Sequence, residues 1–247
     1  MKLFYALVFT SLLVGCNSSG KTLSANDIVN KSIAKHCNGN CEKSIITFNF
    51  RNRSYKSIKK GGTYQYERIF SDSLDFIRDV LTNDGFKRYV NDTLVALPDA
   101  IKTKYTNSVN SVYYFAQLPY GLNAPAANKE LLGEATINGK DYYEIGVTFN
   151  EEGGGADFED KFVYWINKTD FSMDYLAYSY AVDGGGIRFR EAYNKRVVNG
   201  ITFLDYNNYK PKNLDVELTD LDALFQNDKL ELLSKIETEH VEVILVE

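Results

Sequence analysis

Residues 162–209 read FVYWINKTDFSMDYLAYSYAVDGGGIRFREAYNKRVVNGITFLDYNNY, and this aromatic-rich segment predicts the centre of the fold. It contains short apolar runs separated by the turn sequences DGGG (183–186) and NG (199–200). Asn-Gly between alternating apolar runs is a strong hairpin signal, because both residues tolerate the positive φ of a type I′ turn. Residues 188–198 are therefore predicted to pair with residues 201–209 within an antiparallel meander.

The sequence on both sides of this stretch predicts further strands and two or three helices. Ser24 followed by Asp27 matches a capping box, in which each side chain bonds the other residue's backbone amide. Asn138-Gly139 separates two more alternating runs and predicts a second hairpin. We expect helices over residues 25–36, near 101–120 and near 221–233, and strands over 45–55, 63–70, 131–137, 142–149 and 240–246. Residues 86–97, with Asn91-Asp92 at their centre, are expected to form hairpin arms.

Strand patterns outnumber helical patterns along the chain, which places it in the α+β class with a mainly β core. The pattern fits a curved antiparallel sheet, or half-barrel, capped by two or three helices. A sheet of this curvature encloses either side chains or an apolar ligand. Because the chain contains 18 tyrosines and 15 phenylalanines, its interior is aromatic. These rings fill the core or line a cavity, and both roles stay open for each ring.

Composition and charge bound the domain organisation and the partners. Residues 24–247 contain few prolines and no low-complexity linker, and we expect them to form a single domain. The formal net charge of −5 argues against nucleic acid as a partner, because phosphate binding needs an excess of positive charge. The oligomeric state leaves no signal in the sequence.

The beginning of the chain resembles a bacterial lipoprotein signal. A positive start is followed by an apolar run and by LVGC at residues 13–16, which matches a lipobox. This resemblance implies that residues 1–15 are a signal peptide and that acyl chains on Cys16 anchor the protein in a membrane. Residues 16–23 then form a flexible tether. We expect a cell-envelope protein at the outer membrane, on its periplasmic face or at the cell surface.

Two further cysteines, Cys37 and Cys41, follow His36 in the sequence HCNGNC. An even pair in an oxidising envelope compartment favours a disulfide, and the intervening Asn-Gly-Asn can turn tightly enough to allow it. The alternative is a metal site formed by His36 and two thiolates, for which a fourth ligand is missing. A redox-active pair is disfavoured by the C-x3-C spacing.

Arginine side chains on the central meander are candidate ligand contacts. Arg188 and Arg190 share one face of a predicted strand. There they can clamp a phosphate or carboxylate group bidentately, or they can pair with Asp157 and Asp160. The acidic loop that contains these two aspartates is alternatively a weak calcium site.

Glu191 lies on the opposite, apolar face of the same strand. A carboxylate there must be paired or protonated, because unpaired burial of charge is costly. Glu191 therefore forms an ion pair, with Arg51 as its candidate partner, or it anchors a ligand or acts as a general acid. No G-x-S-x-G, H-E-x-x-H or phosphate-binding glycine loop occurs in the sequence. A hydrolase or lyase reading rests on Glu191 or Asp160 alone, and we expect a non-enzymatic protein without a cofactor.

Six runs carry a family resemblance: FNFRNRSY (48–55), NSVNSVYYF (107–115), LPYGLN (118–123), FVYWIN (162–167), DYLAY (174–178) and RFREA (188–192). Together they resemble a family of Bacteroidota envelope lipoproteins that is defined as a domain of unknown function. The resemblance covers nearly all of the chain beyond the tether. It implies a distant similarity to lipoprotein carriers of the LolA and LppX type, whose half-barrel is closed by helices around an acyl-chain cavity.

We interpret the chain as a membrane-anchored envelope lipoprotein that binds a hydrophobic or lipid-like ligand inside a helix-capped half-barrel. The alternative from another class is a structural or interaction module that presents its curved sheet to an envelope partner. A large exposed apolar patch in place of a cavity would indicate that alternative. The residues expected to contact a ligand are Arg51, Arg188, Arg190 and Glu191 at its polar headgroup and Tyr113, Tyr164 and Tyr178 along the cavity.

Overall fold

Two antiparallel sheets of seven strands each form most of this computed structural model, which describes residues 22–154, 158–181 and 184–247. Cys16 and Asp157 lie outside the described residues, as do the predictions that concern them. Sheet A contains, in spatial order, β14 (Glu239–Leu245), β1 (Lys43–Phe50), β2 (Arg53–Lys60), β3 (Thr63–Asp72), β4 (Asp75–Thr82), β5 (Gly85–Val90) and β6 (Thr93–Val95). Sheet B contains β13 (Leu230–Ile236), β12 (Ile201–Pro211), β11 (Gly186–Val198), β10 (Met173–Tyr180), β9 (Lys161–Asn167), β8 (Lys140–Phe149) and β7 (Ala127–Ile137).

Helices are few, and the predicted mainly β class with antiparallel sheets is confirmed. The capping box is present, since Ser24 Oγ accepts from the Asp27 amide at 3.2 Å and the Asp27 carboxylate accepts from the Ser24 amide at 3.1 Å. None of the helices in the described ranges is long and apolar enough to cross a membrane. The helices are α1 (Ala25–Cys37), α2 (Asp99–Ala116), the single turn α3 (Glu151–Gly154) and α4 (Leu221–Gln226).

Both predicted Asn-Gly hairpins are confirmed. Strand β11 pairs with β12 from Val198 opposite Ile201 onward. Asn199 and Gly200, which connect the two strands, have positive φ values of 44° and 83°. The same chemistry at residues 138–139 joins β7 to β8. Local turn sequence therefore determines where the chain reverses in sheet B.

Two element predictions are wrong. The strand predicted over residues 45–55 is two strands, β1 and β2, because Arg51 adopts a positive φ of 55° and the chain reverses there. The helix predicted over residues 221–233 ends at Gln226, and the residues from Leu230 onward form β13, which pairs with β12. In both cases the spacing of apolar side chains continues past the point where the first element ends. The periodicity alone therefore does not reveal the turn.

The two sheets meet at a corner where the chain passes from β13 to β14. Strand β13 pairs with β12 in sheet B, whereas β14 pairs with β1 in sheet A. At this corner the buried carboxylate of Asp205 accepts from the Thr238 amide at 3.0 Å and from Arg196 Nη2 at 3.1 Å. These contacts fix the β13–β14 connection to sheet B at the place where the two sheets meet as a curved half-barrel.

Sheet B is covered on both faces. On its inner face, Ile28 and Val29 of α1 are fully buried against a core that includes Leu176 of β10. On its outer face, Leu221 of α4 packs in a separate core with Phe189 of β11. Successive residues of its strands therefore alternate between two apolar environments.

Helix α2 rests on sheet A through a buried ionic cluster. The carboxylate of Asp79, whose side chain is 0% exposed, lies 2.6 Å from Arg68 Nη2 and 2.7 Å from Arg88 Nε. Arg68 Nη1 also donates to Ser108 Oγ of α2 at 2.7 Å. The Arg88 guanidinium stacks on Tyr105 of α2, with its carbon 3.7 Å from the ring centroid. One carboxylate thus orients both cations that support the helix.

We expect Asp79→Ala to lower the free energy of unfolding by about 3–5 kcal/mol, because it leaves two guanidinium groups buried without their counter-charge. Urea unfolding followed by circular dichroism measures this change. The control is Glu134→Ala, which removes an exposed partner of Lys168 and is expected to change stability by less than about 0.5 kcal/mol. A loss at Asp79 as small as that of the control would contradict the role of the cluster.

Candidate functional site

A cavity of about 680 Å³ lies between the inner face of sheet B, the β1–β2 turn and helix α2. Small-molecule sites typically have volumes of roughly 300–1,000 Å³. Strands β8 to β13 form its floor, while Arg51 and Arg53 reach it from the β1–β2 hairpin. Helix α2 contributes Tyr114 and Phe115 to the opposite side. The cavity is therefore assembled from segments that are far apart in the sequence.

The strand register places a row of four side chains across the floor. Leu176, Arg190, Asn208 and Ser234 lie opposite one another on β10, β11, β12 and β13. Opposed residues of antiparallel strands point to the same face, and all four line the cavity. The row brings an apolar, a cationic, an amide and a hydroxyl side chain together.

The floor changes from aromatic to polar across the sheet. Over β8, β9 and β10 it contains Phe149, Phe162 and Tyr178. The ring centroid of Phe162 lies 5.8 Å from that of Phe149 and 5.6 Å from that of Tyr178. Over β11, β12 and β13 it contains the cationic, amide and hydroxyl members of the row. A lining of this kind suits a ligand with one apolar and one polar part.

Tyrosines of β10 hold the two arginines of β11 in place. Arg188 Nη2 donates to Tyr180 Oη at 2.6 Å, and Arg190 Nη2 donates to Tyr178 Oη at 2.9 Å. Each guanidinium carbon also lies over the ring of the same tyrosine, at 5.1 Å and 5.0 Å from the centroid. The structure thus brings four of the sequence-predicted contact residues, Arg51, Arg188, Arg190 and Tyr178, to the wall of one cavity.

Two tyrosines, one partly buried and one fully buried, connect α2 to sheet B. The hydroxyl oxygens of Tyr114 on α2 and Tyr164 on β9 are 2.7 Å apart. Burial raises the pKa of both phenols, so both remain neutral hydroxyl groups. The ring of Phe115 packs edge-on against Phe50 of β1, with centroids 5.1 Å apart. Helix α2 therefore bridges the two sheets above the cavity.

Glu191 does not face the cavity. It points to the outer face of sheet B, where Asn207 Nδ2 donates to its carboxylate at 3.0 Å and Tyr209 Oη donates at 3.2 Å. Among the described residues, the expected ion pair with Arg51 does not form. The apolar strand face that carries Glu191 is the outer one, because α4 provides a second core there.

Tyr113 and Tyr164 lie behind the cavity wall rather than on it. Tyr113 is 2% exposed, donates to the Glu67 carbonyl at 2.5 Å and stacks on Tyr66 with centroids 4.1 Å apart. Tyr164 is buried beneath the floor at 0% exposure. Their neighbour in the structure, Tyr114, lines the cavity instead. The expectation for these two rings is therefore corrected, since both fill the core.

Cys37 and Cys41 form a disulfide with an S–S distance of 2.13 Å. The pairing leaves no thiolate for the alternative metal site, and His36 Nδ1 is 3.0 Å from the Ser32 carbonyl. Burial lowers the pKa of His36, which favours its neutral form. No group of three or more His, Cys, Asp or Glu side chains within the described ranges is placed to hold a metal ion.

Several polar cavity residues carry no signal in the sequence pattern. Arg53, Asn208 and Ser234 line the cavity. Asp160, which the sequence predicts as a candidate acid or as a partner of Arg188 and Arg190, lines it as well. Arg53 follows a turn that periodicity did not reveal. Asn208 could have been found from the register of its hairpin, which a bulge in β11 shifts by one residue.

The fold is similar to that of a solved LolA superfamily protein. A LolA superfamily protein from Nitrosomonas europaea has a TM-score of 0.50 at 11% identity, over 91% of this chain and 94% of that one. A DUF1329 family protein from Desulfovibrio piger has a TM-score of 0.42 at 13% identity, over 85% and 100%. A putative outer membrane lipoprotein-sorting protein domain from Vibrio parahaemolyticus has 0.42 at 11% identity, over 81% and 97%. At 11% identity, the likeness to the first protein concerns the fold alone.

The chain belongs to DUF6503, a family of unknown function, whose match covers residues 2–238. No curated protein matches the chain in sequence. The predicted membership in a family defined as a domain of unknown function is confirmed, and so is the predicted LolA-like fold. The Bacteroidota affiliation stays a prediction.

We expect Tyr114→Phe to lower the free energy of unfolding by about 1–3 kcal/mol, because it leaves the buried Tyr164 hydroxyl without a partner. Tyr164→Phe should have a similar effect for the reciprocal reason. The double variant should be no less stable than either single variant, since it removes both hydroxyl groups and keeps both rings. Urea unfolding of all four proteins forms the double-mutant cycle, and additive losses would contradict the bond between α2 and sheet B.

Proposed function

We propose that this protein is a membrane-anchored envelope lipoprotein that binds one hydrophobic or lipid-like ligand in the cavity beneath helix α2. The observation that carries the proposal is the cavity itself, with a volume of about 680 Å³ and a lining that grades from aromatic to polar. Its volume is comparable to that of small-molecule sites, and its aromatic side can bury the apolar part of a ligand. The LolA-like fold supports the same proposal at the level of architecture.

The lining assigns different parts of such a ligand to different walls. Phe149, Phe162 and Tyr178 contact its apolar part over β8 to β10. Arg188 and Arg190 meet its polar headgroup over β11, with Arg51 of the β1–β2 turn as a further cation. Glu191 has no part in this assignment, because it faces the outer core.

The proposed location rests on the beginning of the chain. The lipobox at residues 13–16 supports lipidation of Cys16 and retention at the outer membrane, on its periplasmic face or at the cell surface. Residues 1–15 would then be removed, and a single domain would follow the tether of residues 16–23. The disulfide between Cys37 and Cys41 suits an oxidising compartment. Together with this location, we propose that the protein comes from a member of the Bacteroidota.

We propose a binding protein rather than an enzyme. Glu191, one of the two acids on which a hydrolase or lyase alternative depended, accepts two hydrogen bonds on the far side of sheet B. The other acid, Asp160, lines the cavity among four arginines. A different observation favours an interaction module as the second candidate function. Leu74 is 99% exposed and Leu94 is 58% exposed on the β3–β4 and β5–β6 hairpins, outside the cavity. Exposed apolar side chains of this kind can contact an envelope partner.

We expect Cys16→Ser to move the protein from the membrane fraction to the soluble fraction of the envelope and to abolish incorporation of radiolabelled palmitate. The physical reason is the loss of the acyl chains, each of which contributes about 0.8 kcal/mol per buried methylene. Fractionation and labelling of cells that express the full chain measure both effects. Cys41→Ser is the control and should keep the label. Label that persists in the Cys16→Ser protein would refute the anchor.

We expect native mass spectrometry of the full chain, isolated from the envelope in a neutral sugar detergent, to reveal a bound species of lipid mass. Ser111→Trp should reduce its occupancy about tenfold, because Ser111 is an exposed residue of α2 that lines the cavity, and the larger ring overpacks the space. Thr103→Trp is the matched control, since it adds the same ring at an exposed position of α2 outside the lining.

Two results would contradict the binding function. One is a ligand-free mass at every expression level, which would favour the interaction module as the function. The other is equal loss of the bound species in both tryptophan variants, which would indicate damage to the helix instead of obstruction of the cavity.

A further inference from the structure

The described lining of the cavity carries an excess of positive charge. Four guanidinium groups line it, and the one acidic residue among the described lining residues is Asp160. The protein as a whole has a formal net charge of −5, so this concentration of cations runs against the overall balance. A cavity wall with this charge attracts anions. The four cations are Arg51, Arg53, Arg188 and Arg190.

The hydrogen bonds of Arg188 and Arg190 are with neutral groups. None of the ion pairs between described residues involves any of the four. Arg188 donates to Tyr180 and to the Ile187 carbonyl, and Arg190 donates to Tyr178. Their hydrogen bonds orient the guanidinium groups without balancing their charge. This differs from sheet A, where Asp79 balances two buried arginines.

Three polar atoms at the cavity wall are buried without any hydrogen-bond partner. They are Nε of Arg53, Nε of Arg190 and the side-chain oxygen of Asn208. Asn208 lies opposite Arg190, and its amide nitrogen donates to Ser234 Oγ at 3.1 Å. Because an amide can be placed either way round, Asn208 offers one further polar contact as a donor or as an acceptor.

Buried polar atoms in folded proteins are normally satisfied, because an unmet donor has lost its water without gaining a partner. A neutral ligand headgroup satisfies a guanidinium donor but leaves its charge uncompensated. A carboxylate or phosphate oxygen does both, in a short charge-assisted hydrogen bond. The guanidinium groups at the cavity wall therefore favour an oxyanion.

We propose that the ligand is a single-chain amphiphile with an acidic headgroup, a carboxylate or a phosphate, and that Arg190 and Arg53 bind this group with Asn208 beside it. This inference rests on the proposed ligand-binding function and adds the chemical class of the ligand. The chain of the amphiphile lies over the aromatic floor of β8 to β10. A volume of about 680 Å³ matches one small ligand, which favours a single chain over a multiply acylated anchor.

Equilibrium binding of three radiolabelled probes to the purified full chain carrying Cys16→Ser tests the inference. The probes share one palmitoyl chain and are used below their critical micelle concentrations. Palmitate carries a carboxylate, palmitoyl lysophosphatidate carries a phosphate, and monopalmitoylglycerol is neutral. We expect at least one acidic probe to bind about tenfold more tightly than the neutral one, the gain of a charge-assisted contact. The stronger acidic probe identifies the oxyanion.

Arginine variants test the residue assignment. Arg190→Gln keeps a polar side chain and removes the charge, and it should bring the acidic probe to the affinity of the neutral one, whose affinity stays unchanged. Arg53→Gln should reduce the preference for the acidic probe over the neutral one. This variant provides the test if Arg190→Gln fails to fold. Arg78→Gln is the matched control, because Arg78 stacks on Tyr89 at 4.5 Å outside the cavity lining.

The outcomes separate this inference from the function beneath it. Equal affinities for acidic and neutral probes would overturn the acidic headgroup and leave ligand binding intact. Binding of none of the probes, together with a ligand-free protein from the envelope, would overturn the ligand-binding function itself. An acid preference that survives both Arg190→Gln and Arg53→Gln would refute these residues as its source.

Discussion

The buried carboxylate of Asp79 helps to fix the position of helix α2 on sheet A. It compensates Arg68 and Arg88, and these two cations contact Ser108 and Tyr105 of α2. Because α2 forms one side of the cavity, the position of the site depends on a charge cluster on strands that do not line it. Removal of one member of such a cluster lowers the stability more than replacement of the whole cluster, because it leaves the remaining buried charges without a counter-charge.

The second constraint is the two-sided burial of sheet B. Arg190 and Glu191 are neighbours in sequence, yet one faces the cavity and the other the core under α4. The same alternation divides the aromatic residues between wall and core. An aromatic-rich sequence can therefore build a cavity without leaving its rings exposed, because one set of rings packs the outer face while the other forms the floor.

Much of the fold could be predicted, and a smaller part of the site. Alternation along a strand correctly placed Arg188 and Arg190 on one face, but it could not say that the polar face was the inner one. The helical pattern could not tell which of Tyr113 and Tyr114 faces the cavity. Adjacent residues of a helix point in different directions, and only the position of the two sheets around the helix determines what each one meets. Here the first fills the core of sheet A, and the second lines the cavity.

The sequence alone is enough to predict the features that depend on neighbouring residues: the capping box at Ser24, the Asn-Gly hairpins and the antiparallel meander that follows from them. The tertiary structure alone decided which side chains meet across strands. Counted from Asn199-Gly200, Arg190 would face Tyr209, but the bulge between Tyr193 and Arg196 adds one residue to β11 and brings Asn208 opposite instead. Turn chemistry acts over a few residues of contiguous chain, whereas register and cavity depend on how distant segments pack, and no local pattern records that packing.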